Sequence, residues 1–163
     1  MILRALAPTD RPALVDLLTR TTHFTAAEVT LALELIDLTI ADPHCGYQFL
    51  VADLPDHPVS GYICWGATPI THASYDVYWL VVDATLRRRG IGRQLCAALE
   101  QRVCAAGGGN IRLETSGKPQ YTDTIQFYLQ VGYRIAARLA DFYAPGDDLV
   151  LLYKQLACPD DAS

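Results

Sequence analysis

The sequence predicts an α/β fold, a mixed sheet of about seven strands with about four helices on its faces. Three observations carry that reading. Runs rich in β-branched and aromatic residues alternate with stretches of helical period in the order β, α, α, β, β, β, α, β, α, β, β. A turn with two glycines, "RRRGIGR" at residues 87–93, separates an apolar run from an amphipathic one and marks a strand-turn-helix junction. The 163 residues, 51% hydrophobic and 19% charged, suffice for one core and fall short of two ordinary domains.

Each element has its own signal. "MILRALA" alternates Ile2, Arg4 and Leu6 against Leu3 and Ala5, which suits a first strand. Asp10 is expected to cap a helix that holds Pro12 in its first turn and runs to about Thr21. Thr25 and Glu28 have the spacing of a capping box, and Val29, Leu33, Ile36 and Ile40 give the following helix an apolar face ended before Pro43. "GYQFLVADL" and "VSGYICWGA", divided by "PDHP", read as a hairpin, and "YDVYWLVVD" as a central strand. Ile91, Leu95, Leu99 and Val103 recur every four residues, so a helix runs from Gly90 to Ala106 and is closed by "GGG". "NIRLETS" is a strand, "YTDTIQFYLQV" a helix stopped by Gly132, and "YRIAARL" and "DLVLLYKQL" the last two strands. Residues 1–157 read as one domain and 158–163 as a flexible tail.

Composition removes several function classes. A formal net charge of −5 opposes general attraction to nucleic acid or to an anionic membrane, while leaving room for one local basic patch. No segment has the length and apolarity of a membrane span, and Arg4 and Asp10 interrupt the stretch a signal peptide needs. The five cysteines, Cys45, Cys64, Cys96, Cys104 and Cys158, are odd in number and never spaced as C-x-x-C, so reduced thiols in a cytoplasm are expected, with no metal site. Cys96 and Cys104, on the amphipathic helix, read as small core residues.

The glycine turn is the most distinctive local feature. A chain leaving a strand at Val82 and entering a helix near Gly90 presents N–H groups without intrahelical partners, at the end where the helix dipole favours negative charge. Gly90 and Gly92 let an anion approach the backbone, and Arg87, Arg88, Arg89 and Arg93 add cations. A Walker A loop needs G-K-[ST], whereas Arg93 and Gln94 follow Gly92; a dinucleotide fingerprint needs a third glycine where Leu95 stands. The same residues also suit a solvated arginine run ahead of a helix.

"LVVDATLRRRGIGRQL" resembles the signature of the GNAT superfamily of acetyl-CoA-dependent N-acetyltransferases, [RQ]-x-x-G-x-[GA] after a strand reading L-x-V. Arg87, Gly90 and Gly92 meet the motif, and Leu80 and Val82 meet the strand. Downstream, Phe127, Tyr128, Gly132 and Tyr133 resemble the family's F-Y-x-x-x-G-[FY] helix end. "RLETS" followed by "FYLQVGY" is similar to ribosomal-protein alanine acetyltransferases in particular. The resemblance implies a mostly antiparallel sheet splayed between strands 4 and 5. It implies a coenzyme diphosphate on Arg88, Arg89, Gly90, Ile91, Gly92 and Arg93, and a pantetheine arm along Leu80, Val81 and Val82. Tyr128 is then the proton donor to the leaving thiolate, and either Glu114 or Asp76 the base. Tyr121 stands where the family often has asparagine, which removes one expected cofactor contact.

The expected chemistry is direct transfer of acetyl from acetyl-CoA to a primary amine in a ternary complex, without metal. A lysine-like amine is mostly ammonium at neutral pH, so a base is useful. Each candidate has a plainer reading: Tyr128 as a packed aromatic, Glu114 as a carboxylate paired with Arg112, Asp76 as a turn cap. Phe127 is expected in the core with Val131, and the acids of "YAPGDD" attract a cationic acceptor or merely decorate a turn. The acceptor is a small amine or amino acid, a protein N-terminus or an aminoglycoside-like compound, and a homodimer fits the habit of many relatives. A second class of function is a CoA-binding regulatory module without turnover.

Overall fold

The structure is a computed structural model and describes residues 1–158. Its elements are β1 (Ile2–Arg4), α1 (Arg11–Thr19), α2 (Ala26–Ala41), β2 (Tyr47–Leu54), β3 (His57–Ala67), β4 (Ser74–Val82), α3 (Ile91–Ala105), β5 (Asn110–Ser116), α4 (Thr122–Gln130), β6 (Arg134–Ala144) and β7 (Asp147–Gln155). Their order is the one the periodicities predict. The seven strands are ordered β1-β2-β3-β4-β5-β7-β6. The β1/β2, β2/β3, β5/β7 and β6/β7 pairs are antiparallel. The splay expected between strands 4 and 5 corresponds to a parallel register of three pairs, Ser74, Tyr75 and Asp76 against Asn110, Ile111 and Arg112.

The chain forms two compact units, Met1–Gly66 with Trp79–Leu99, and Ala67–Tyr78 with Glu100–Ser163. In the first, Leu14, Leu17 and Leu18 of α1 and Ala32 and Ile36 of α2 pack with Phe49, Val51, Tyr62, Cys64 and Val81. Alternate strand residues such as Leu50 and Ile63 are buried on the opposite sheet face, as the period of two requires. Thr25 caps α2 as expected: its hydroxyl accepts from Glu28 N at 3.2 Å, and Glu28 accepts from Thr25 N at 2.7 Å. Asp10 does not cap α1. Its buried carboxylate accepts from Ala7 N at 2.8 Å and from Arg4 at 2.6 and 2.8 Å, because Arg4, which also binds Asp53, satisfies it there.

In the second unit, Ile111 and Leu113 of β5 and Val150 and Leu152 of β7 are buried, so the even-numbered residues of β5 take the other face. α3 closes on Gly107, at φ +76°, with Gly108 N donating to Val103 O at 2.8 Å. The reduced-thiol expectation fails for one pair, since Cys104 and Cys158 form a disulfide. Leu156 N bonds Gly109 O at 2.7 Å, which carries the chain beyond β7 alongside the end of α3. Cys158 is thereby tied down, and the remaining tail residues, 159–163, lie outside the described residues. Cys104 is accordingly no simple core thiol, and the ground for expecting a reducing compartment is removed for this pair. Cys45, Cys64 and Cys96 lie outside this disulfide, the last two buried.

Candidate functional site

The glycine turn is built within the first unit. Asp83 ends β4: its N–H donates to Ser60 O at 2.9 Å, and its carboxylate accepts from Thr85 N and Thr85 Oγ1 at 2.9 and 2.7 Å and pairs with Arg20 at 3.1 Å. The Thr85 hydroxyl first, against burial, and then Thr85 N–H and Arg20 hold that carboxyl below the usual aspartate range. Leu86, buried, anchors the turn, while Arg87, Arg88 and Arg89 are exposed. Arg88 takes φ +63° and Gly90 +78°, so the chain doubles back before α3. The first helical bond runs from Gln94 N to Gly90 O at 3.0 Å, leaving the N–H groups of Ile91, Gly92 and Arg93 ahead of the ladder. Above Gly90 the nearest group is Gln94 Nε2, 3.9 Å from where a β-carbon would stand.

Among the described residues, Arg88, Arg89 and Arg93 form no ion pair. An acidic chain therefore leaves three guanidinium groups uncompensated around an open, amide-lined turn. That arrangement suits a polyanion. On β4, Val81 is buried, Leu80 and Val82 are half-buried, and all three lie beyond the register with β5. Trp79 packs on the core, with Phe24 edge-on at 5.3 Å. A cavity of about 430 Å³ beside Asp83 is lined by Thr19, Thr21, Thr22 and Thr85, and its two charged residues, Arg20 and Asp83, pair with each other.

The candidate acid and base groups belong to the second unit. The parallel register sets Asp76 opposite Arg112, and the period of two puts Glu114 on the same face of β5. Arg112 Nε donates to Asp76 Oδ1, and Arg112 Nη1 lies 3.5 Å from Glu114 Oε1. Thr68 Oγ1 donates to Asp76 Oδ2 at 2.9 Å. The hydrogen bond to Asp76, against partial burial, and then the electrostatic influence of Asp76, Glu114 and Tyr78 hold the Arg112 guanidinium above its ordinary value. Glu114 thus has the arginine partner of its plainer reading, and Asp76 is a buried ion-pair member rather than a turn cap.

Tyr128 stands on a helix rather than on the sheet. It is buried on α4 with Ile125, its ring edge-on to Phe127 at 5.2 Å and to Tyr133 at 5.3 Å. Gly132, at φ +94°, turns the chain so that Tyr133 N reaches Tyr128 O at 3.0 Å, which brings the Tyr133 ring back under the helix. Phe127 is only half-buried, contrary to its expected place in the core with Val131. The acids of the β6-β7 turn are engaged: Asp148 with Arg138 at 3.3 Å, and Asp147 with Lys118 at 3.1 Å. Thr68 carries no signal in the sequence, because it meets Asp76 only once the chain folds back, and the sequence offers Arg112 only as a partner for Glu114.

A family model described as an acetyltransferase (GNAT) domain matches residues 45–135. The chain belongs to the GNAT family. A GNAT-family protein from Desulfovibrio desulfuricans is 34% identical, with 96% of this chain and 99% of that one covered at a TM-score of 0.91. An aminoglycoside 6'-N-acetyltransferase solved with coenzyme A is 21% identical over 95% and 97% of the two chains, TM-score 0.73. The ribosomal-protein alanine N-acetyltransferase of Escherichia coli is 18% identical over 94% and 92%, TM-score 0.73. These last two share the GNAT fold. Comparison with curated protein sequences gives no match. Among the described residues, this GNAT chain has no group of three or more His, Cys, Asp or Glu placed to hold a metal ion. No helix among the described residues is long and apolar enough to cross a membrane.

Proposed function

We propose that this GNAT protein transfers acetyl from acetyl-CoA to a primary amine in a ternary complex. The carrying observation is the open turn at residues 87–93, with its free helix-terminal amides, its left-handed Arg88 and its unpaired arginines. A diphosphate of two negative charges fits such a seat, where backbone N–H groups and guanidiniums donate together. The main-chain groups of Leu80 and Val82 serve the pantetheine amides by strand-like pairing, with Val81 packed behind them.

In the chemical step the acceptor ammonium gives a proton to a carboxylate, Glu114 or Asp76, directly or through water. The neutral amine attacks the thioester carbonyl, a C–N bond forms, and the C–S bond breaks. The leaving sulfur takes a proton from Tyr128, which regains the second proton shed by nitrogen. The products are the acetamide, free CoA and one proton released to solvent. Backbone N–H of Leu80 stabilises the oxyanion of the intermediate without reorganisation.

The names of the structural neighbours place aminoglycosides and alanine N-termini of ribosomal proteins in the acceptor panel, beside polyamines and amino acids. The test follows thiol release from acetyl-CoA over that panel with wild type, Glu114→Gln, Asp76→Asn and Tyr128→Phe. Removal of a general acid or base lowers turnover by about 10²- to 10⁴-fold. Full activity in all three variants rejects the assigned roles, and coenzyme binding without thiol release identifies a module that does not turn over.

A further inference from the structure

We propose that Arg112 is a positioning residue: anchored by Asp76, it braces Glu114 so that Glu114 Oε2 is the oxygen that accepts the acceptor's proton. This deepens the acetyltransferase reading and rests on it. The two carboxylates are not equivalent. Asp76 is buried and both of its oxygens are taken, Oδ1 by Arg112 Nε and Oδ2 by Thr68 Oγ1. Each oxygen already accepts one donor, and burial restricts the approach of a substrate to the lone pairs that remain. Glu114 keeps 41% of its side-chain exposure, contacts Arg112 through Oε1 alone, and among the described residues has no partner on Oε2.

The charged groups around this cluster come from two strands, Asp76 and Tyr78 from β4 and Arg112 and Glu114 from β5. On β7, Tyr153 and Leu151 stand opposite Arg112 and Glu114, and the Arg134 guanidinium of β6 lies over the Tyr153 ring at 5.2 Å. Among the described residues, Arg112 is thus the guanidinium that touches both carboxylates. Its fork reaches them with different nitrogens, which a single ammonium does not do equally well. A glutamate on an exposed strand face would otherwise sample several rotamers, and ordering it in advance lowers the cost of reaching the reactive geometry.

The test is a coupling measurement on the full chain. Arg112→Gln is expected to lower kcat about 10- to 100-fold while the KM for acetyl-CoA stays within roughly twofold. In a Glu114→Gln background the same change should add nothing, and Asp76→Asn should add nothing to Arg112→Gln, because each acts through the next. Thr68→Val, a milder change, should lower kcat in the same direction and covers the case in which Arg112→Gln fails to fold. A near-wild-type Glu114→Gln, or a large further loss on adding Asp76→Asn, makes Asp76 the base and overturns the proposal. An independent arm needs no turnover: the Arg112 Nε–H resonance in nitrogen-15 spectra should shift in Asp76→Asn and exchange faster with water. An unmoved resonance removes the anchor and the proposal with it. Wild type that releases no thiol with any amine, while that resonance behaves as expected, rejects the acetyltransferase reading and with it Glu114 as base, leaving only the brace.

Discussion

Gly61 on β3 lies so close to Val81 on β4 that a β-carbon would stand 2.7 Å from the Val81 carbonyl oxygen and 3.2 Å from the Val82 α-carbon. Neither atom can rotate away, so any side chain displaces β4 at Val81 and at Val82, the second of which is proposed to serve the coenzyme arm. Gly61→Ala is expected to cost about 1–3 kcal/mol of stability. Acetyl-CoA affinity should fall as well, with melting curves and calorimetry as the paired measurements. Lost stability at unchanged affinity would separate this contact from the coenzyme seat.

Arg88 holds a left-handed backbone, φ +63°, that costs a non-glycine residue about 1 kcal/mol. Arg88→Gly should therefore leave the protein as stable or raise its melting temperature, despite the added freedom of the unfolded chain. It should also weaken acetyl-CoA binding and flatten the salt dependence of that binding, since one cation is gone. Binding that is unchanged at low salt assigns the strain to the turn alone.

These two contacts mark the boundary of what local patterning conveys. The period of two along Ile111, Arg112, Leu113 and Glu114, and the four-residue period from Ile91 to Val103, were legible because each is imposed by the neighbouring core. The turn was legible because its glycines and arginines are contiguous. The Asp76–Arg112 pair was not, since it depends on a parallel register between segments 36 residues apart. The Cys104–Cys158 bond, 54 residues apart, depends likewise on where the chain goes after β7. Phe127 is half-buried where the core was expected, while Gly132 folds Tyr133 back against Tyr128 beneath α4, an arrangement set by the cap rather than by helical spacing.

The disulfide closes a long loop that holds β5, α4, β6 and β7, and its removal frees the unfolded chain. For a sequence separation of 54 the loop-closure relation puts the stabilisation at about 4 kcal/mol. Dithiothreitol should lower the melting temperature of wild type by several degrees and leave Cys158→Ser unmoved. Equal sensitivity of the two proteins to the reductant shows that the bond is not what responds.

His23 offers a reading of the coenzyme seat that does not depend on activity. Burial first, and then the nearby Arg87 guanidinium, hold its imidazole below the usual value of 6.5, with Glu28 opposing. Because the folded state disfavours the charged form, neutral His23 contributes stability in full above pH 6.5, and the contribution is lost as pH falls through the lower folded value. His23→Asn should lack that component of the stability-pH curve. A diphosphate seated on the turn neutralises the field of Arg87, so coenzyme A should move the His23 midpoint upward in an imidazole NMR titration. Pantetheine, which lacks the diphosphate, should leave it in place. A midpoint that moves equally with both ligands ties the change to coverage of the ring, and one that moves with neither places the diphosphate away from Arg87.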